Sequence, residues 1–252
     1  MTRRIRLRIF TFGALGLAAL LVWGFAGLPD FGSSSSPYSE LIARIGLDVR
    51  HATNLAAGTT TLDFRGIDTL GEEFILFAAT LGVLALLRIS RGERPVAADP
   101  EEREPTTRSP SVAAVASALA APFMVLALYV VLHGHLTPGG GFQGGVVLAT
   151  AWLFVYLAGA RLRRGAGPKP VIVAEVGEAS GAIGFALIGL GGLVFASAYL
   201  ENFLPLGVAG NLLSGGTYPL LNLAVGIEVA GAVLLILGEL LDQRLLEGEE
   251  QT

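Results

Sequence analysis

One acidic side chain lies deep inside an apolar stretch near the carboxyl end of the chain. Glu228 follows the start of the window 219–241 by about ten residues. A carboxylate at the middle of a bilayer costs roughly 2.5–3.5 kcal/mol, so it must face protein or water and not lipid. The position predicts either a group that exchanges protons or cations, or a glutamate that is protonated or paired with a lysine of another subunit.

A second acidic residue shares the helical face of Glu228. Eleven residues make three turns of helix, so Glu239 lies on the same stripe. Small neighbours of Glu228, such as Ala224, Gly231 and Ala232, permit close approach of another helix. We therefore treat Glu228 and Glu239 as ion-pathway candidates on a stripe that runs from the middle of the membrane toward the cytoplasm.

The run HGHLTPGGGFQGG, from His133 to Gly145, predicts irregular backbone between two helices. Such backbone survives at membrane depth only where protein or water covers it. The pairs Gly140/Gly144 and Gly141/Gly145 place small residues four apart, which favours tight helix packing.

Neither a Walker-type phosphate loop nor a dinucleotide fingerprint is indicated for this run, because the sequence context of each is missing. The predicted motif and packing residues are His135, Pro138, Gly139, Gly140, Gly141, Phe142, Gly144 and Gly145.

The histidines of this run also raise the question of a metal site. His133 and His135 have the His-x-His spacing of a ligand pair, but the chain has only one other histidine, His51, and no cysteine. Because zinc requires three or four protein ligands, hydrogen bonding at a helix end is the favoured reading. We predict no metal, no cofactor and no catalytic residue.

A polar segment, DFRGIDTLGE, precedes another apolar window. Asp63, Arg65 and Asp68 predict a small salt-bridged turn with an orienting role. Thr69 and Glu72 match a capping box, while the position of Glu72 near the membrane also makes it an ion-pathway candidate. We expect the neighbouring Glu73 to be interfacial.

Two further glutamates, Glu175 and Glu178, lie near the cytoplasmic start of another predicted helix. Negative charge stabilises a helix amino terminus, so a structural role is favoured for both.

Composition sets the class of protein that must position these groups. The 252 residues are 52% hydrophobic and only 15% charged, with a formal charge of −4. A soluble domain carries roughly 25% charged residues, so a water-facing surface is excluded. The fold class is all-α, an integral membrane helical bundle. Six apolar windows predict six transmembrane helices at about 7–27, 69–88, 112–132, 143–161, 178–199 and 219–241.

Basic residues predict the orientation of these helices. Fourteen lysines and arginines fall on one side of the six windows, and only Arg44, Arg50 and Arg65 fall on the other. The positive-inside rule then places both termini in the cytoplasm, with the chain as a multi-pass protein of the cytoplasmic (plasma) membrane. The scattered basic residues indicate no nucleic-acid partner.

A charged, proline-rich stretch divides the chain. Residues 91–111 predict a hydrophilic cytoplasmic linker between a two-helix unit, 1–90, and a four-helix domain, 112–252. In the long outer loop, residues Tyr38 to Leu47 predict a short interfacial helix.

The two motifs together resemble a known family. The run from Gly134 to Gly145 closely resembles the G-H-N-x-P-G-G-G-F-x-G-G signature of the MnhB family, the B-type subunits of Mrp-type multisubunit sodium/proton antiporters. The segment from Asp63 to Glu72 resembles the carboxyl end of the large A-type subunits of these antiporters, and also a small subunit of related membrane-bound hydrogenases. The order of the two motifs resembles a fusion of neighbouring genes, covering residues 52–88 and 112–241.

The chain departs from the family pattern at two places. Leu136 replaces the asparagine that follows the motif histidine, and Asn222 replaces the aspartate expected in the last helix, with Glu228 six residues later. These departures favour a divergent branch near the hydrogenase-like relatives.

The resemblance implies a non-catalytic membrane subunit of a cation (sodium)/proton antiporter or a related energy-converting complex. Its expected partners are other membrane subunits of that antiporter or hydrogenase-like complex, the lipid bilayer, sodium ions and protons. Transport by the chain alone is disfavoured, because only Glu228 is expected to lie deep in a span. The alternative is a self-sufficient small channel or transporter that forms a homo-oligomer through its glycine faces.

Overall fold

The computed structural model describes residues 3–28, 37–87, 109–157 and 170–249. These residues form helices and connecting loops and include no β-strand. The predicted linker 91–111 lies mostly outside the described residues. The α-helices are α1 (Arg3–Ala26), α2 (Pro37–Arg44), α3 (Gly66–Leu87), α4 (Pro110–Leu132), α5 (Gly141–Leu157), α6 (Pro170–Phe195) and α7 (Tyr218–Glu249), and the wider π-helical segments are π1 (Ile45–Val49) and π2 (Leu55–Phe64).

The chain forms two compact units, Met1–Leu41 and Ile42–Thr252. The first unit contains α1, whose side chains from Thr11 to Ala26 are exposed and almost entirely apolar. The second unit contains α3 to α7, so the residues that follow π1 pack together with the four carboxyl-terminal helices.

Helix α7 is the centre of the second unit. It contacts α3, α4, α5 and α6, and most of its apolar stretch is buried. By contrast, α3, α4 and α6 leave most of their apolar residues exposed. An apolar outer surface around a buried central helix is the arrangement expected in lipid.

Within the described residues, four helices are long and apolar enough to cross a membrane. They are the ranges Gly66–Leu87, Pro110–Leu132, Val171–Phe195 and Tyr218–Leu240. The windows predicted at 7–27 and 143–161 coincide with shorter apolar helices, Thr11–Ala26 and Gly141–Tyr156. The all-helical membrane class is thereby confirmed.

Helix α5 packs tightly because three of its residues are glycines. A Cβ on Gly141 would lie 2.5 Å from the carbonyl oxygen of Asn222, and one on Gly145 would lie 2.7 Å from Val229 Cβ, both on α7. Gly144 meets Val131 and Ala127 of α4 in the same way. Glycine therefore lets α5 contact α4 and α7 with almost no side chain between the backbones.

The irregular run before α5 is held by the segment that precedes π2. The Asn54 amide donates hydrogen bonds to the carbonyl oxygens of Gly134 and Thr137, both at 2.7 Å, while its oxygen accepts from Ala56 and Ala57 at the start of π2. The backbone N–H groups of Thr53 and Asn54 donate to the His135 carbonyl. We call this end of the second unit, which also carries the loop 196–217, the His135 end.

Candidate functional site

Glu228 of α7 is completely buried. Its side chain is 0% exposed, and no N–H or O–H group of the described residues donates to either carboxyl oxygen. The helix places it ten residues after Tyr218, near the middle of the apolar stretch. The sequence-based expectation that Glu228 faces protein agrees with this position.

The group that faces Glu228 is Glu73 of α3. The two side chains are close neighbours, and Glu73 is only 1% exposed, with no hydrogen-bond donor among the described residues to either of its oxygens. The expectation that Glu73 is interfacial is therefore wrong. Helix α3 begins at Gly66, so Glu73 lies two turns inside it and turns toward α7.

A third buried carboxyl group, that of Glu178 on α6, lies near this pair, about one helical turn from Glu228. It is 3% exposed and interacts electrostatically with Glu228. The Thr80 hydroxyl lies beside it but donates to the Leu76 carbonyl oxygen at 3.1 Å. Because α6 begins at Pro170, Glu178 is two turns inside the helix, and the expectation of a helix-terminal role is wrong.

Two glycines bring α6 and α7 together at these glutamates. A Cβ on Gly181 of α6 would lie 2.6 Å from the backbone nitrogen of Glu228. A Cβ on Gly231 of α7 would lie 2.6 Å from the backbone nitrogen of Glu178. Each glutamate backbone thus rests on a glycine of the opposing helix, and this reciprocal contact is what brings the two acidic residues close.

The other predicted acidic residues lie outside this buried group. Glu72 is exposed on α3, and Glu239 is half-buried three turns beyond Glu228 on α7. Thr69 does not cap a helix, because α3 starts three residues earlier and the Thr69 hydroxyl donates to the Thr61 carbonyl oxygen at 2.8 Å. The predicted capping box at Thr69 and Glu72 is therefore wrong.

The predicted salt-bridged turn forms only in part. Arg65 and Asp68 pair at 2.7 Å on the exposed surface, as expected. Asp63 instead accepts from Arg50, with Nε at 2.7 Å and a second nitrogen at 3.3 Å. The buried Tyr218 hydroxyl adjoins the Asp63 carboxyl, so this ion pair lies at the start of α7.

Asn222 occupies the place of the family aspartate and has a defined structural role. Its amide oxygen accepts from the backbone N–H of Gly141 at 2.9 Å, and its amide nitrogen donates to the Tyr218 carbonyl. The side chain therefore accepts a hydrogen bond from a backbone N–H group at the amino terminus of α5, which has no carbonyl partner within that helix. An uncharged amide performs this role without a carboxylate.

The motif residues lie at the His135 end. The His135 ring is completely buried between Gly58 and Gly215 and lies near the backbone of Asn211 and Leu212. Burial lowers the pKa of its imidazole. Gly140 is buried, Gly139 and Phe142 are half-buried, and Pro138 is exposed.

His133 and His135 contact different residues. Its ring stacks on Tyr129 at 4.2 Å, and its Nδ1 lies 3.1 Å from the Tyr129 carbonyl oxygen. Among the described residues no group of three metal-ligating side chains occurs.

A cleft of about 400 Å³ between α3 and α6 reaches Glu178. Its walls are apolar apart from two carboxyl groups on α6. The lining residues are Phe77, Leu81, Leu84, Ala85, Glu175, Glu178 and Ala179.

The arrangement of Glu73, Glu228 and Glu178 has a specific chemical capacity. Adjacent carboxyl groups in a low dielectric cannot all be ionised, so neighbouring pairs hold protons between them. The sequence analysis did not identify Glu73 and Glu178 as buried groups, because the predicted windows begin at residues 69 and 178. The helices begin earlier, at Gly66 for α3 and at Pro170 for α6, so both glutamates lie inside helices.

The chain matches the model of a known family over part of its length. Residues 111–235 match the domain related to the MnhB subunit of the Na+/H+ antiporter. Two relatives align with larger parts of the chain. An uncharacterised protein of Methanocaldococcus jannaschii is 28% identical over 211 residues, which cover 75% of this chain and 79% of the relative. A probable K+/H+ antiporter A/B subunit of Rhizobium meliloti is 30% identical over 174 residues, and the match covers 62% of this chain but only 17% of that protein.

Two solved structures have the same fold. A chain of the membrane-bound sulfane sulfur reductase, an archaeal respiratory membrane complex, aligns with a TM-score of 0.70 and 28% identity over 94% of this chain and 98% of that one. A chain of the Mrp complex from Dietzia sp. DQ12-45-1b aligns with a TM-score of 0.69 and 23% identity over 95% of this chain and 26% of that one. The protein therefore contains, in residues 111–235, a domain of the family related to the MnhB subunit of the Na+/H+ antiporter, and the chain as a whole is similar to membrane subunits of cation/proton antiporters and related membrane complexes.

Proposed function

We propose that this protein supplies a proton-exchanging site inside the membrane, formed by the carboxyl pair Glu73 and Glu228 with Glu178 beside it. The observation that carries the proposal is the contact between two fully buried carboxyl groups that receive no donor from the described residues. A structural pair would be expected to have a lysine, an arginine or hydrogen-bond donors.

The depths of the three groups support a path and not a single point. Helix ends near Gly66, Phe195 and Tyr218 belong to the His135 end. At 1.5 Å per residue, Glu73 lies roughly 10 Å and Glu228 roughly 15 Å from that end, and Glu178, whose backbone lies against Gly231, lies roughly 20 Å from it. The three carboxyl groups therefore follow one another over roughly 10 Å, about a third of the hydrocarbon thickness.

The same proposal includes the topology derived from the sequence. The helices α1 and α3 to α7 make six spans, both termini lie in the cytoplasm, and the His135 end faces outward. This orientation rests on the fourteen basic residues that flank the opposite ends of the helices. The membrane is the cytoplasmic membrane.

The working unit is a complex with other membrane subunits, in which cations such as sodium move against protons. A non-catalytic role follows from this proposal, since proton exchange between carboxyl groups requires no bond cleavage in a substrate. The chain divides into an A-type unit 1–90, a linker 91–111 and an MnhB-like domain 112–252. This division is supported by the combined A/B designation of the rhizobial relative.

The test is cation-driven pH change in everted vesicles that contain the complete set of co-expressed subunits. Replacing Glu228 or Glu73 with glutamine keeps shape and hydrogen bonding but removes proton exchange. We expect either variant to assemble and to lose transport by about tenfold or more.

Glu239→Gln is the matched control, because it changes the same group on the same helix outside the buried pair. It should retain most transport. Wild-type transport by an assembled Glu228→Gln complex, checked on a native gel, would exclude Glu228 from the path. Homo-oligomers of this chain that transport ions alone in liposomes would favour the channel alternative.

A further inference from the structure

The motif histidine, His135, is buried without a hydrogen-bond partner among the described residues. Its side chain is 0% exposed, and neither ring nitrogen makes a hydrogen bond, although the ring lies near the backbone of Asn211 and Leu212. A neutral imidazole has one nitrogen that donates and one that accepts. Because buried polar groups in folded proteins are almost always paired with protein or with ordered water, both nitrogens require a partner.

Two hydroxyl groups in the turn beside His135 have the same property. Ser214 and Thr217 are 0% and 1% exposed, and neither hydroxyl oxygen has a hydrogen-bond partner in the part of the chain that the structure describes. Gly215, between them in sequence, lies against the ring, because a Cβ on it would be 3.5 Å from His135 Cδ2. Three buried side chains that require a partner therefore occur at one turn.

The backbone N–H groups of this turn are already in use. Those of Ser214, Gly215 and Thr217 donate to oxygen atoms elsewhere in the loop 196–217, at 2.9, 2.9 and 3.1 Å. The Asn202 side chain holds the turn, since its amide nitrogen donates to the Gly215 carbonyl oxygen at 2.8 Å. With φ at +76° for Gly215 and +61° for Gly216, the turn has a shape that few other residues adopt. A small ligand that both donates and accepts would satisfy the side chains without moving this turn.

The chemistry of the three side chains identifies the class of that ligand. Hydroxyl groups and a neutral imidazole both donate and accept hydrogen bonds, and burial lowers the pKa of the His135 imidazole, which favours its neutral form. The charged groups beside Tyr218, Asp63 and Arg50, pair with each other at 2.7 Å. An ion in such a neutral site would be costly to desolvate, whereas a buried water typically makes about three hydrogen bonds to groups of this kind.

We propose that ordered water molecules bridge the His135 imidazole to the hydroxyl groups of Ser214 and Thr217. This buried hydrated site fastens the loop 196–217 to the motif run, and water is the ligand of the motif histidine. The proposal involves none of the buried glutamates, so it can fail or succeed independently of the proton-exchange proposal.

The sign of a stability change tests the site. Thr217→Val and Ser214→Ala each remove a hydroxyl group and nearly keep the shape of the side chain. If the hydroxyl binds water, its loss breaks a hydrogen bond, and we expect the Tm of the full-length protein in detergent to fall by about 2–6 °C. If the hydroxyl is unpaired, its removal leaves Tm unchanged or raises it, and that result would overturn the proposal.

Thr150→Val is the matched control for Thr217→Val. The Thr150 hydroxyl donates to the Val146 carbonyl oxygen of its own helix at 2.9 Å and lies far from the turn in sequence. Its removal should change Tm by no more than about 1 °C.

Magnetic resonance of the imidazole detects the water directly. The chain has three histidines, so ¹⁵N-histidine labelling gives three side chains to observe, and the variants His51→Gln and His133→Gln identify the signals of His135. We expect magnetisation transfer from water to the His135 ring in the wild type. In the double variant Ser214→Ala, Thr217→Val the transfer should fall by about twofold or more, because the bridging water has lost two partners.

Three results of this experiment would also overturn the proposal. A wild-type ring that receives no magnetisation from water is dry. Equal transfer in the wild type and the double variant would mean that the two hydroxyl groups hold no bridging water. A His135 signal that shifts when sodium or potassium replaces choline in the buffer would indicate a bound cation instead.

Discussion

Gly181 of α6 lies directly against the backbone of Glu228 on α7, where a Cβ would come within 2.6 Å of the glutamate nitrogen and Cβ. The atoms in the way belong to helix backbone and a Cβ, which cannot move aside as a flexible side chain would. The close crossing of these helices therefore depends on one missing side chain.

We predict that Gly181→Ala separates α6 from α7 and lowers the free energy of unfolding by about 1–3 kcal/mol. Gly184→Ala is the control on the same helix, because its Cβ would meet Ala224 Cβ at 3.7 Å, an ordinary contact. Thermal unfolding in detergent, followed by circular dichroism, compares the two. Equal stability of the two variants would contradict the packing argument.

The second prediction concerns Asn54, which joins π2 to the irregular run at the His135 end. Asn54→Asp keeps the oxygen that accepts from Ala56 and Ala57 but loses the two donations to Gly134 and Thr137. We expect a loss of about 1–3 kcal/mol in stability, since two buried or half-buried carbonyl groups lose their donor. Thr61→Ala, which removes an exposed hydroxyl that donates to the Ala56 and Ala57 carbonyl oxygens, should change stability far less. Protease sensitivity of the loop 133–140 gives a local readout.

A third prediction follows from the burial of His135, which lowers the pKa of its imidazole from the ordinary 6.5. Below about pH 6.5 the unfolded chain takes up a proton that the folded chain excludes at this residue. The free energy of unfolding should therefore fall as the pH drops from 6.5 toward the lowered folded-state pKa. His135→Gln should make stability less dependent on pH in this range. His133→Gln, at a half-exposed ring, should leave the slope as in the wild type.

Topology provides the fourth prediction. Reporters fused at Ser33 and Asn211 should read as external, and reporters at Asp99, Gly167 and the carboxyl terminus should read as cytoplasmic, because basic residues flank the cytoplasmic ends of the spans. Paired alkaline phosphatase and green fluorescent protein fusions measure the two sides. A cytoplasmic signal from Asn211 would contradict the six-span orientation.

The burial of one acidic residue could be predicted from the sequence pattern, and the burial of another could not. Glu228 was predictable because it stands alone in the middle of an apolar window, and a charge there needs protein around it. Glu73 was not, because its window was taken to begin at Thr69, whereas the helix begins at Gly66. A shift of three residues moves a side chain from the interface to the interior.

The glycines of α5 also show what a sequence pattern can predict and what it cannot. The spacing of Gly140, Gly141, Gly144 and Gly145 predicts a face for close packing, but spacing cannot say which helix packs there. The structure sets Gly144 against α4 and Gly141 and Gly145 against α7. Gly231 is marked in the sequence as a small neighbour of Glu228 that permits close approach of a helix, but the sequence does not say that α6 is that helix or that Gly181 forms the reciprocal contact.

By itself, the sequence determined that this is a helical membrane protein, which segments are apolar, and where a lone buried carboxyl group must lie, because these depend on the local cost of placing polar groups in hydrocarbon. Only the tertiary structure decided that Glu73 faces Glu228 with Glu178 nearby, that Asp63 pairs with Arg50, and that the Asn222 side chain accepts from the first backbone N–H group of α5. These are contacts between helices distant in sequence. They depend on the rotation and crossing of packed helices, which no single segment contains.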